Sequence, residues 1–151
     1  MTCYQTFLSF DFGMKSIGVA TGQSITRTAY PLQALKAQSG VPDWNQVDSI
    51  FYEWQPTHIV VGLPLNMDGS EQPFTKKTSF FAQCINTRYS ITVYLHDERL
   101  STIAARAEIF KRRGSAALLQ KDCVDALSAA IILESWLENS YYQMQKISES
   151  S

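Results

Sequence analysis

Short apolar segments and longer amphipathic segments follow one another along this chain. The first 35 residues contain three short apolar segments, at 7–11, 17–21 and 28–35. Glycine-containing connections join them. Runs of this length, rich in apolar and β-branched residues, predict an antiparallel meander of three strands.

The next segment has the periodicity of an amphipathic helix. Asp43 suits the N-cap and Pro56 should end the helix. The apolar residues between them recur at the spacing of one helix face: Val47, Ile50, Phe51 and Trp54.

The second half alternates strands with helices. Residues 58–63 are apolar on both faces, which is typical of a central parallel strand, and a loop (64–72) separates them from a helix that should begin at Pro73. The remaining predicted elements are a strand at 91–95, a helix from Ser101 or Thr102 to Gly114, and a last helix from about Asp122 to Glu138.

This order predicts an α/β fold with a five-stranded mixed sheet and helices on both faces. Right-handed crossovers would place the strand that starts at His58 beside the first strand. The carboxyl ends of strands one, four and five would then share the edge where open α/β sheets bind ligands. We expect a single domain over residues 1–139 and a frayed polar tail over 140–151.

Composition narrows the class of protein. No apolar run approaches the ~20 residues of a membrane span, and the N-terminus lacks the features of a signal peptide, so a cytoplasmic location without membrane contact is predicted. The three cysteines form no CxxC pair and the chain has two histidines. This argues against a zinc site and a disulfide framework.

Charge is unevenly distributed although the net charge is only −1. Residues 76–121 hold nine Lys/Arg against three acids, whereas the rest holds four against eleven. A localised basic region is the footprint of a phosphate-binding face, although a solvated helix surface explains it equally well.

Three acidic residues stand at the ends of different predicted elements. Asp11 closes the first strand, Glu98 follows the fifth strand, and Asp125 lies in the first turn of the last helix. Carboxylates gathered at strand ends can hold hard divalent cations, and such cations can cleave a phosphodiester. The pattern therefore favours a nuclease.

Each acid also has a simpler interpretation. Asp11 could form the turn at Gly13, and Asp125 could be favoured by the helix dipole alone. Strand alternation allows only one of Asp97 and Glu98 to face the site, and spacing leaves the choice open. Asp122 suits a helix cap.

Three further residues are candidates for substrate binding. Lys15 and Arg99 flank the acids and could hold phosphates. Asn66 lies in the loop at the same edge, where simple turn chemistry would also explain it.

Four stretches resemble, in order, the signature motifs of the YqgF (RuvX) family: 11–20 (DFGMKSIGVA), 62–70 (GLPLNMDGS), 97–102 (DERLST) and 124–133 (VDALSAAIIL). The resemblance covers roughly residues 5–138. It departs at Asp122-Cys123, where members often have Gly-Lys, which leaves Asp122 as a further ligand candidate.

The resemblance implies an RNase H-like fold and a bacterial, cytoplasmic nuclease that uses Mg²⁺ or Mn²⁺. Its catalytic and metal-binding residues would be Asp11, Glu98 and Asp125. The family was first labelled a Holliday junction resolvase and is now described as a nuclease for 5′-end maturation of pre-16S rRNA. The expected partner is thus RNA, as pre-16S rRNA or a pre-ribosomal particle, and the oligomeric state stays open.

Three alternatives remain open at this point. One is a resolvase-like endonuclease that acts on branched DNA, and another is a non-catalytic RNA-binding module of ribosome assembly. The third is an actin-like or sugar-kinase phosphate loop, but those folds need two lobes to enclose a nucleotide and 151 residues supply one.

Overall fold

The computed structural model describes residues 5–26, 28–98 and 121–138, with the backbone alone at 121–123. Six strands form one mixed sheet: β1 (Thr6–Asp11), β2 (Ser16–Gln23), β3 (Thr28–Gln38), β4 (Val41–Pro42), β5 (His58–Leu63) and β6 (Thr92–Asp97). The helices are α1 (Trp44–Trp54), α2 (Pro73–Tyr89) and α3 (Lys121–Glu138). The expected helix over 101–114 and the tail after 139 lie outside the described residues.

The sheet has the order β4-β3-β2-β1-β5-β6. The first three strands are an antiparallel meander, and β5 runs parallel to both β1 and β6. This confirms the predicted mixed sheet and the position of β5 beside the first strand. The carboxyl ends of β1, β5 and β6 therefore meet at one edge.

The expected count of five strands is wrong by one. Residues Ser39 and Gly40, with φ of 51° and 82°, reverse the chain so that Val41 pairs with Gln38. Two successive residues with positive φ form the tight turn that suits a β-hairpin. A short sixth strand thus lies between β3 and α1, where the apolar pattern predicts no strand.

The helix ends follow local chemistry. Asp43 caps α1 by accepting a hydrogen bond from the Asn45 amide at 3.0 Å, and Gln55 ends the helix in a left-handed conformation before Pro56. Pro73 opens α2 as predicted. Because Lys121 already belongs to α3, Asp122 lies inside that helix and is not its cap.

The two faces of the sheet carry different cores. On one face, α1 and α2 cover an aromatic and aliphatic cluster that includes Phe10, Phe12 and Phe81. On the other face, α3 packs through Ala129 and Ala130 against small sheet residues such as Ala20. None of the helices in the described part of the chain is both long and apolar enough to cross a membrane.

Candidate active site

Alternation along β1 places Asp11 on the face covered by α3. The Ser9 hydroxyl donates a hydrogen bond of 2.7 Å to the Ala129 carbonyl of α3, and Phe7 packs against Trp136 of the same helix. Residues two apart on a strand share a face, so Asp11 follows Phe7 and Ser9 onto the α3 side. Its side chain is half-buried at the end of the strand.

Glu98 reaches the same face from the end of β6. A Cβ built on Gly62 would lie 3.1 Å from the Cγ of Glu98 and 2.5 Å from the Cδ1 of Ile132 on α3. In β5, Val61 pairs with Phe10 of β1, and the next residue, Gly62, pairs with His96 of β6. Gly62 is therefore level with Asp11 and lies between β1 and β6. Because Gly62 has no side chain, there is room for the Glu98 side chain beside β5 on the α3 side of the sheet.

The choice between Glu98 and Asp97 follows from the same alternation. His96, two residues before Glu98, has its Nε2 atom 2.9 Å from the Ser135 hydroxyl of α3, and Tyr94 packs against Trp136. Positions 94, 96 and 98 therefore belong to the α3 side. Asp97 is on the opposite side, away from Asp11.

Asp125 is held to the sheet by Ser16. The Ser16 hydroxyl donates a hydrogen bond of 2.6 Å to the Asp125 Oδ2 atom. A Cβ on Gly18 would overlap the backbone carbonyl of Asp125, so α3 lies directly on β2 at this point. Because Gly18 pairs with Asp11 across β1 and β2, this contact brings Asp125 close to the strand end that carries Asp11.

One expectation about these residues needs correction. Asp125 was expected in the first turn of the last helix, but that helix already includes Lys121, so Asp125 lies beyond its first turn.

The predicted substrate contacts have different positions. Lys15 is exposed in the β1–β2 connection, and its carbonyl accepts a hydrogen bond from the Ala37 amide at 2.9 Å. Asn66 is exposed in the loop after β5, where its side-chain amide donates to the Ser70 hydroxyl at 3.0 Å. That bond is the turn chemistry given above as its simpler explanation. Arg99 lies outside the described residues.

Reasoning from the sequence missed the residues that hold the acids in place. Ser16 anchors Asp125, Gly62 makes room for Glu98, and His96 pairs with Ser135 beneath the site. Ser16 and Gly62 both lie inside quoted motifs, but their partners are 109 and 36 positions away along the chain. Their roles therefore become visible only after folding.

His96 is a neutral residue of the core beneath the acids. Its side chain is fully buried, and burial lowers its pKa to about 4 although the nearby Asp97 charge opposes that shift. Its Nδ1 atom has no hydrogen-bond partner in the described part of the chain. A neutral, buried imidazole cannot supply positive charge to a phosphate at neutral pH.

The three acids match a divalent ion in the type of their donor atoms. All three acids offer carboxylate oxygens, the ligands that Mg²⁺ and Mn²⁺ prefer. Among the described residues, no three acidic, histidine or cysteine side chains stand close enough to surround one ion. The acids thus fit in donor type and in the face they share, and their side chains would have to close around an ion.

Comparison with known proteins gives one consistent family. A family model described as "RuvX: Holliday junction resolvase" matches residues 5–139. A protein of Pectobacterium carotovorum named "Putative pre-16S rRNA nuclease" is 58% identical over 134 residues, or 89% of this chain and 96% of the relative. A protein of Klebsiella pneumoniae with the same name is 57% identical, over 90% of this chain and 98% of the relative.

The solved structures that match share the fold. Thermus thermophilus RuvC in complex with a Holliday junction substrate aligns with a TM-score of 0.55 at 12% identity, over 95% of this chain and 99% of RuvC. A second Thermus thermophilus RuvC structure gives a TM-score of 0.53. The RNase H-like architecture implied by the four motifs is thereby confirmed. The match across 5–139 and the identity of 57–58% to full-length relatives show that the chain belongs to the RuvX family.

Proposed function

We propose that this protein is a divalent-metal-dependent endonuclease that acts on RNA in the 5′-end maturation of pre-16S rRNA in the bacterial cytoplasm. The observation that carries the proposal is the placement of Asp11, Glu98 and Asp125 on the α3 side of one sheet edge. The names of relatives 57–58% identical to the chain support RNA as the substrate.

The three carboxylates would hold one or two Mg²⁺ or Mn²⁺ ions. When bound, such an ion supplies Lewis acidity to the scissile phosphate and generates the nucleophile from water. Asp11 and Glu98 would provide oxygens from the ends of β1 and β6. Asp125 would provide oxygens from α3, and its hydrogen bond from Ser16 would orient the carboxylate.

Other side chains would position the RNA. Lys15, exposed in the β1–β2 connection next to Asp11, can contact a phosphate beside the cut. Asn66 would have to give up its bond to Ser70 to reach the substrate. Arg99 follows Glu98 directly in the sequence, and its role as a phosphate contact remains part of the proposal.

The test is cleavage of a labelled pre-16S 5′-leader RNA with Mn²⁺, Mg²⁺ or EDTA. Asp11→Asn should lower cutting to below about 1% of wild type, because loss of one charged group that stabilises the transition state costs about 10²–10³ in rate. The matched control is Glu53→Gln, which neutralises an exposed acid of α1 on the other side of the sheet and should cut like wild type. Full activity of a folded Asp11→Asn protein would contradict the assignment.

A DNA junction resolvase is the second candidate, because the family model carries that description and the fold matches RuvC. The same variants should be tested on a four-way DNA junction. Symmetrical junction cutting by a stable dimer, with no cutting of the leader RNA, would replace RNA by branched DNA. RNA binding that is equal with and without metal, and no cutting of either substrate, would favour a non-catalytic assembly module.

A further inference from the structure

A surface groove runs along α2 on the side of the sheet opposite to α3. It consists of two adjoining cavities of about 340 and 470 Å³, which is within the range of small-molecule pockets. The first lies between α2, the β3–β4 turn and the start of α1, and the second continues toward the end of α2. We call this continuous surface the α2 groove.

Aromatic rings dominate the middle of the α2 groove. Phe80 and Trp44 line both cavities, and Phe80 is 68% exposed. Trp44 stacks on the buried Phe81 with ring centres 6.2 Å apart, and the Arg88 guanidinium lies 5.2 Å from the centre of its ring. Trp44 is therefore held in place by its neighbours, whereas Phe80 leaves most of its ring available to a ligand.

The charge of the α2 groove is positive. Lys76 and Lys77 line the first cavity and Arg88 the second, and none of the described residues that line either cavity is acidic. Arg88 is neutralised by a salt bridge of 2.8 Å to Asp48. In the described part of the chain neither lysine takes part in an ion pair. Two charges are thus left for an anionic ligand.

The α2 groove begins one residue away from the proposed catalytic edge. Phe12 lines the first cavity and packs against Phe74 and Phe81, with ring centres 5.3 and 5.1 Å apart. Asp11, its neighbour, faces α3 on the other side of the sheet. A single polynucleotide that passes over the end of β1 could therefore contact both faces.

We propose that the α2 groove binds an unpaired RNA segment of the substrate, outside the bond that is cut. Exposed aromatic rings beside unpaired basic side chains are the combination by which proteins hold single strands, through base stacking and phosphate contacts. Phe80 stacks with a base beside the fixed Trp44, and Lys76 and Lys77 contact the phosphates. The identification of the strand as RNA rests on the proposed function.

The experiment measures binding of a short fluorescein-labelled single-stranded RNA in EDTA, by fluorescence anisotropy at several salt concentrations. Phe80→Ala should weaken binding by about tenfold, because it removes the exposed ring on which a base stacks. Phe80→Tyr, which keeps the ring, should bind within about twofold of wild type. Tyr52→Ala, which removes an aromatic residue of α1 that is 82% exposed and outside the groove, should leave affinity unchanged.

The charge contribution is tested by the double variant Lys76→Ala/Lys77→Ala. It should weaken binding and reduce the slope of log affinity against log salt by about 1.4, since each phosphate contact to a single strand contributes about 0.7. The double variant Lys76→Arg/Lys77→Arg retains both charges and should restore the wild-type slope.

Three results would overturn the inference. The first is unchanged RNA affinity in folded Phe80→Ala protein, and the second is an equal loss of affinity for single-stranded and fully duplex RNA. The third is a change of oligomeric state in Phe80→Ala without loss of RNA binding, which would make the groove an interface between copies of the chain.

The two proposals can fail separately. Cutting that requires Asp11 together with wild-type binding by the groove variants would leave the nuclease assignment intact and remove the groove. If the groove variants lose RNA binding and no protein cuts RNA in the presence of metal, the groove proposal stands and the nuclease assignment fails.

Discussion

Ser16 and Asp125 are joined by a short hydrogen bond within the candidate active site. The hydroxyl of Ser16 donates to the Asp125 Oδ2 atom at 2.6 Å, and both residues are half-buried. Because the acceptor is a carboxylate, this hydrogen bond is stronger than one between neutral groups. It fixes the orientation of an acid that the sequence alone could equally assign to the helix dipole.

A double-mutant cycle tests this contact in the absence of metal. We expect Ser16→Ala and Asp125→Ala to show a coupling of about 1 kcal/mol in the free energy of unfolding, since hydrogen bonds to charged groups contribute about 1.5–3 kcal/mol and partial exposure reduces that value. The measurement is urea unfolding of the four proteins in EDTA. Strict additivity of the two single changes would show that the bond contributes nothing to the folded state.

At the scale of elements, close packing of α3 on the sheet is what brings Asp125 to the side of the sheet that carries Asp11 and Glu98. Small residues on β2 and β5 let the helix approach: Gly18 meets the backbone of Asp125, Gly22 lies against Leu133, and Gly62 lies against Ile132. Each of these contacts joins segments far apart in sequence. Within the described residues the predicted strands and helices occur in the predicted order, apart from the additional β4, but nothing local in the sequence indicates how closely α3 approaches.

Two glycine substitutions should therefore lower the free energy of unfolding by different amounts. In Gly18→Ala the new methyl group meets the Asp125 backbone carbonyl, which cannot rotate away, and we expect a loss of more than about 3 kcal/mol or failure to fold. In Gly62→Ala the neighbours are the ends of two side chains, which can move, so the loss should be about 1–2 kcal/mol. The measurement is thermal or urea unfolding of both proteins.

Gly62→Ala also addresses the site, because Glu98 is one of the two displaced side chains. At a temperature where the Gly62→Ala protein is still folded, its RNA cutting should nevertheless be slower than that of wild type, because Glu98 is displaced. Equal stability of the two alanine variants would contradict the packing of α3 on β2 described above.

At the scale of the whole molecule, the sheet separates two candidate functional surfaces. The α3 side carries the acids over small residues, and the α1–α2 side carries an aromatic core that opens into the α2 groove. Both surfaces meet at the end of β1, where Asp11 and Phe12 face opposite ways. On the α1–α2 side, Trp54, the last residue of α1, is 36% exposed.

Global stability should depend on pH through His96. Burial lowers its folded-state pKa to about 4, below the ordinary value of 6.5, so the unfolded chain binds more protons than the folded one between these values. The contribution of neutral His96 to the free energy of unfolding is fully present above pH 6.5 and is lost as the pH falls toward 4. Between pH 7.5 and 5 the loss should be about 2 kcal/mol.

The measurement is urea unfolding at pH 7.5 and pH 5 in EDTA, for wild type and His96→Gln. The variant retains a side chain that can bond to Ser135 but does not titrate, so it should lose about 2 kcal/mol less over this interval. An identical pH dependence in both proteins would show that His96 is not buried in its neutral form.

The sequence by itself determined the elements and the acids at their ends. Apolar periodicity, the Asp43 cap and Pro73 are local signals, so they predicted strands and helices within a few residues. The hairpin at Ser39 and Gly40 was not predicted, because two residues at positive φ do not change the pattern of apolar positions.

Tertiary structure alone decided which acids share a face. The choice of Glu98 over Asp97 on structural grounds depends on the contacts of Tyr94 and His96 with α3, and the position of Asp125 depends on Ser16 and Gly18. The α2 groove likewise exists only where α2 packs beside the β3–β4 turn. The physical reason is that these contacts join segments tens of residues apart, and their geometry is set by packing of the whole sheet rather than by any local preference.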